Sequence, residues 1–250
     1  MLFGVDRPLN DAWRVGGAFS YSNIAVNNTG YTAGNTSRVN AYGLTGYGSY
    51  IAERWYANLS AGAILQRYNA TRRIDYSGFS GTAGANFGGQ QYVMRGEVGM
   101  PLSVGPITVT PLAALSYSYQ HQGSYTENGG NGAGLSVGTS HLTSVKSDLG
   151  AKFQREFTTR YGLLVPQLSV AWRHEYDNTR TATAANFAAD TLGETSFTTL
   201  GSSPVSNLAN VNVGVTLLRA NNTSISARYE AQAGKGYVSQ AGSVKLRQLF

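Results

Sequence analysis

The sequence predicts an all-β fold, a single antiparallel transmembrane β-barrel over residues 1–250. Three observations predict it. Polar and apolar residues alternate with period two in about eleven segments, as strands do when each face meets a different environment. Many of these segments exceed ten residues, whereas globular strands are usually about 5–6 long and about 9–11 tilted residues span a bilayer. The connections alternate between short and long, the habit of barrels with short periplasmic turns and long extracellular loops. A soluble β-sandwich, the alternative, must bury each apolar face against a second sheet.

Composition narrows the classes further. Only 13% of residues are charged, against about 25% in soluble domains. The net charge is +6, yet Lys and Arg form no runs, which argues against nucleic acid as a partner. With no Cys there is no disulfide framework or thiolate metal site. Asp6 and Arg7 interrupt "MLFGVDRPL", so no signal peptide is visible. The longest uncharged stretch, 98–126, holds Pro101, Pro106 and Pro111, and a spanning helix needs about 20 mostly apolar residues.

The elements follow in order. A strand at Leu2–Pro8 meets a tight turn at Pro8–Asp11, and strands near 13–22 and 39–50 flank a long connection near 23–37. A tight turn at Ala52–Arg54 leads into 55–68, followed by a long Gly/Asn/Ser/Thr-rich connection at 69–89. In 91–100, Tyr92, Met94, Val98 and Met100 oppose Gln91, Arg95 and Glu97. A turn at Ser103–Pro106 precedes the strand 107–120 and a long connection at 121–139. In 141–157, Val145, Leu149, Ala151 and Phe153 oppose Lys146, Asp148, Lys152 and Glu156. After the turn Thr158–Gly162, Leu164, Leu168, Val170 and Trp172 oppose Gln167, Ser169, Arg173 and Glu175. A long connection near 177–208, the strand 211–218, the turn Arg219–Asn222 and the strand 224–232 come next. A connection at 233–239 and the terminal strand "SVKLRQLF", 243–250, complete the set. No segment carries a helical stripe.

Alternation assigns an inward, wet face to Arg14, Arg95, Glu97, Lys146, Asp148, Lys152, Glu156, Arg173, Glu175, Arg228, Glu230, Lys245 and Arg247. These charges either pair across neighbouring strands or contact a chain inside the pore. Trp13, Trp55 and Trp172 fall at strand ends, where an interfacial aromatic girdle belongs. Phe250 then closes the last strand at the periplasmic rim. Counting strand directions back from that end makes Leu2–Pro8 run downward from the outside. Bacterial single-chain barrels have even strand numbers, so an upward strand is expected ahead of Leu2.

Two motifs point to chemistry. "GLSVG", 134–138, fits G-x-S-x-G, but a nucleophile elbow at Ser136 requires a following helix, and a strand follows instead. "RHEYD", 173–177, offers His174, Glu175 and Asp177, yet adjacent strand residues face opposite sides. His121, His141 and His174 are too scattered to argue for a metal. No catalytic, cofactor or metal residues are expected.

The ordered segments "FGVDRPLNDAWRVGGAFSYSN", "VNAYGLTGYGSYIAERWYANLSAGA", "GQQYVMRGEVGMPLSVGPITVTPLAALSYS", "DLGAKF", "LLVPQLSVAWRHEY" and "SVKLRQLF" resemble the C-terminal translocator domain of type Va autotransporters. The resemblance implies a twelve-stranded outer-membrane barrel threaded by a helix, with an N-terminal passenger carried to the surface of a Gram-negative cell. It further implies a monomer in outer-membrane lipid, escorted by periplasmic chaperones and inserted by the barrel-assembly machinery. Val244, Leu246 and Phe250 match the family's terminal assembly signal. Gln248 departs from the aromatic or apolar residue that the family has two positions before the end, so a weakened signal is expected. The pore helix and first strand have no counterpart here. An outer-membrane protease or lipase and a small pore or adhesive barrel are the competing functions.

Overall fold

The computed structural model describes residues 1–219 and 222–248. Eleven main strands succeed one another: β1 (Leu2–Pro8), β2 (Trp13–Asn27), β3 (Thr36–Ile51), β4 (Tyr56–Tyr76), β5 (Phe79–Gly99), β6 (Ile107–Gln122), β7 (Ser140–Gln154), β8 (Gly162–Glu175), β9 (Asn207–Leu218), β10 (Thr223–Gly234) and β11 (Tyr237–Gln248). Each pairs antiparallel with the next, and the sheet runs in chain order from β1 to β11. Among the described residues the only helical pieces are 3-10 turns at Gly30–Thr32 and Gly130–Gly132.

The sheet is built inside out. Leu44, Leu59, Leu65, Leu115, Leu149 and Val213 lie on its convex face, 50–67% exposed, and the register brings Leu59 and Leu115 level on either side of Gly96. A soluble protein would hide such side chains, and a continuous apolar surface of this extent marks a membrane-facing wall. Among the described residues the buried apolar set is small, five alanines with Val137 and Leu208, beside a few polar groups. Small residues on the concave side let tyrosines lie flat across their neighbours. A Cβ on Gly16 would sit 2.5 Å from the Tyr47 ring, and one on Gly99 would sit 2.6 Å from Tyr56.

The open ends of the sheet approach each other. Among the described residues β1 and β11 share no ladder, but Arg247 of β11 donates to the Asp6 carboxylate of β1 at 2.5 Å. Arg14 of β2 donates to the same carboxylate oxygen at 2.7 Å. At the end of β11, Val244 and Leu246 are exposed; Phe250 lies outside the described residues.

Several predicted connections prove shorter than expected. The segment 69–89 is a hairpin: β4 and β5 stay in register from Tyr56↔Gly99 to Tyr76↔Phe79. Gly78, at φ +82°, closes its two-residue turn. Above a membrane both faces of a strand are wet, so alternation fades although the ladder continues. Likewise 233–239 contains only a two-residue turn, with Gly236 at φ +69°, because β10 and β11 pair up to Gly234↔Tyr237. The segment 141–157 is interrupted: β7 ends at Gln154, Arg155 and Glu156 fall outside the ladder, and Phe157–Thr159 resumes pairing with Gly162–Leu164 of β8 in the same register. Glu156 lies in this two-residue break of the β7–β8 ladder and is exposed.

Candidate functional site: the charged lumen and its roof

Alternation on β5 to β8 brings a charged cluster onto the concave face. Asp148 (β7) is its centre, with its side chain 2% exposed. Arg173 of β8 reaches it at 2.6 and 3.0 Å, and these are facing residues in the register. Arg95 of β5 crosses β6 to reach Asp148 at 2.7 Å, donating to Ser116 at 3.0 Å as it passes. Arg95 also meets Glu97 at 3.1 Å, and Tyr56 donates to Glu97 at 3.2 Å. Charge-assisted bonds of this kind are about twice as strong as neutral ones. One network thus stitches five consecutive strands from inside.

Glu175, at the top of β8, is used differently. It accepts from the Ser144 hydroxyl at 2.5 Å and from the backbone amides of Val145 and Asp177 at 2.9 and 3.1 Å. Lys146 stands 3.6 Å away. This carboxylate ties down the end of a strand. Lower in the lumen, Glu230 accepts from Gln232 at 2.7 Å. Lys152, Arg228 and Lys245 have no ion pair among the described residues. The inward face therefore carries a surplus of positive charge along β7 and β11, while on β10 Arg228 shares its face with Glu230 two residues on.

The aromatic residues sort to two levels. Trp13, Tyr50 and Trp55 cluster at the periplasmic end, with ring centroids 5.0 and 5.3 Å apart. Trp172, at the extracellular end of β8, donates to Asn207 at 3.0 Å. His174 lies beside it on the same outward face and also meets Asn207, at 2.9 Å. Glu175 points the other way, so "RHEYD" does not converge. Among the described residues no three His, Cys, Asp or Glu side chains gather in a metal-binding group.

Above the mouth lies a feature that sequence reasoning missed. The β6–β7 connection folds inward against the overhanging β4–β5 hairpin. Tyr125 stacks on Phe87 at 4.0 Å, and Phe87 stacks on Tyr68 at 4.8 Å. Arg72 grips Glu127 in a fork at 3.0 and 2.6 Å and also donates to the Ala133 carbonyl at 2.8 Å. Gly129 pairs with Ala83, and the tight cover leaves Ala83 0% and Ala85 4% exposed. Tyr125–Thr126 and Leu135–Val137 then join Ala182–Phe187 and Phe197–Leu200 of the β8–β9 connection in a second, four-stranded sheet. Ser136 of "GLSVG" lies on one of these strands, beside Thr126. The short runs "GLSVG" and "TATAANF" alternate, but over too few residues to be read as strands.

Comparison with known proteins places this architecture. Residues 1–230 match the family described as Autotransporter beta-domain. The translocator domain of NalP from Neisseria meningitidis superposes with a TM-score of 0.77 at 13% identity, over 98% of this chain and 78% of that one. The beta domain of the Bordetella autotransporter BrkA gives 0.65 at 18% identity, over 98% of this chain and 86% of that one. No curated protein sequence matches the chain.

Proposed function

Starting from the fact that this chain belongs to the autotransporter β-domain family, and so serves as an outer-membrane translocator for a passenger domain, we propose that its positive lumen holds the segment leading to that passenger. The observation that carries this reading is the set of inward cations without ion pairs, Lys152, Arg228 and Lys245, beside the fully satisfied Asp148 network. A static wall needs its charges paired, because unpaired charge in a confined space is costly. A transiting polypeptide supplies carboxylates and backbone carbonyls to such cations.

Photo-crosslinkers placed at Lys152 and Arg228 of the full-length protein test this. They are expected to capture the passenger-proximal segment during secretion, while one at the outward Val170 captures none. Equal capture at inward and outward positions would remove the reading. In the same proposal the barrel acts as a monomer, performs no catalysis, and reaches the membrane with the help of periplasmic chaperones and the barrel-assembly machinery. The outward apolar pair Val244 and Leu246 at the end of β11 supports a terminal assembly signal.

A further inference from the structure

We propose that the outward face of β3 and β4 carries a binding site for a phosphorylated lipid of the outer leaflet, with Arg38 and Arg67 as its ligands. The argument begins with height. Trp55 marks the periplasmic interface, and ten residues at about 3.4 Å, tilted near 40°, rise about 26 Å to Leu65. That is the height of the apolar band of an outer-membrane barrel, about 25 Å. Leu65 is 63% exposed on the convex face, and Arg67 is the next residue up on that face. Tyr42 closes the apolar band on β3 beside Leu65, and above it come Asn40 and then Arg38. Both guanidiniums therefore stand at the level of the outer-leaflet headgroups.

Their placement suits one phosphate. Asn40 faces Arg67, and Arg38 faces Asn69, so the two arginines are diagonal neighbours, about 7–8 Å apart at their backbones. Side chains of this length converge readily on a single dianion, and Arg presents a fork that fits phosphate. Both are exposed, and neither has a hydrogen bond or ion pair among the described residues. The amides around them are already occupied with one another. Asn23 donates to Asn40 at 2.7 Å, and Asn69 donates to Asn86 at 2.7 Å. On the outward face of β2 to β5 the one carboxylate among the described residues is Asp75, which Arg73 holds at 2.8 Å. The protein supplies these two like charges with no counterion of its own, and a membrane phosphate does. The charge is also local, since at the outer rim of β6 and β7 the register places Tyr119, His121 and His141 instead.

The test uses the full-length protein in phosphatidylcholine nanodiscs, titrated with bis-phosphorylated lipid A or with the same lipid dephosphorylated. Each basic residue near an anionic surface contributes a factor of about five, so the pair should bind the phosphorylated form about thirtyfold more tightly. Arg38→Gln/Arg67→Gln should abolish that preference, Arg38→Lys/Arg67→Lys should retain most of it, and Arg160→Gln in a periplasmic turn should leave it intact. Heat-modifiability on gels reports whether each variant is folded. Inorganic phosphate at millimolar concentration should not compete if the site reads a membrane-anchored headgroup. Full competition would assign it to free phosphate and overturn the lipid reading. Equal binding of the two lipid forms by the unsubstituted protein would overturn the proposal without recourse to any variant.

Discussion

Replacing Asp148 by Asn should cost the barrel about 2–3 kcal/mol. Asp148 is 2% exposed and neutralises two guanidiniums, Arg95 and Arg173. Removing one partner from a dry buried pair costs about 3–5 kcal/mol. The lumen is only partly dry, however. Arg95 is 36% exposed and Arg173 17%, so water compensates part of the loss. Asn also keeps one acceptor, which satisfies one donor but no charge. The discounted figure, with a denaturant slope of about 1–3 kcal/mol per molar, lowers the urea midpoint by about 1 M. The assay is equilibrium unfolding of the refolded protein in lipid vesicles, followed by tryptophan fluorescence. Adding Arg95→Gln removes one of the two stranded cations and should restore about half of the lost stability. A single-variant change below about 0.5 kcal/mol, the scale of an ordinary surface substitution, would refute the reasoning, as would a double variant no more stable than the single.

Other outcomes are as specific. Val170→Arg, on the convex face, should cost about 2–4 kcal/mol near the midplane while Gln167→Arg in the lumen is tolerated; equal folded yields would mean the faces are wrongly assigned. Arg72→Gln removes the fork on Glu127, so amide exchange at Leu135 and Gly138 should accelerate at least tenfold while exchange in β7 stays unchanged. Uniform acceleration would mean the roof and barrel open as one unit. The Asp190 carboxyl is held below the usual carboxylate range by hydrogen bonds from the Thr195 hydroxyl and amide, with the Gly193 and Leu192 amides adding to them. A depressed value stabilises the loop above the ordinary carboxylate pKa, and this stabilisation is lost as pH falls through the lowered one. Amide protection at Gly193 and Thr195 should therefore persist at pH 5 and vanish at strongly acid pH; persistence throughout would show that Asp190 does not hold the turn.

The parts of the fold readable from sequence were those that meet two solvents at once. Between lipid and water, each strand must alternate, and Met94, Arg95, Glu97 and Val98 do so plainly. The β4–β5 overhang from Asn69 to Asn86 meets water on both sides, so nothing in its composition marks it as strand except the turn glycine, Gly78. Alternation also assigns faces without assigning partners. It puts Arg95 and Asp148 on one side, but that Arg95 reaches across β6 to Asp148 depends on the curvature of the sheet. The roof depends wholly on contacts between segments far apart in the chain, such as Leu135 with Phe187. Arg67 breaks the alternation of 55–68 and Arg38 falls between the connection 23–37 and the strand 39–50, and their meaning appears only when register brings them together.

The β4–β5 hairpin makes the mouth lopsided. Each of its strands is 21 residues long, about twice what the bilayer requires, whereas β10 and β11 are 12 residues each and turn directly at Lys235 and Gly236. One side of the exit is thus a tall parapet with the roof leaning on it, and the opposite side is a low sill. If the lumen holds a passenger segment as proposed, that segment meets far less wall above the bilayer on the side of β10 and β11 than on the side of β4 and β5.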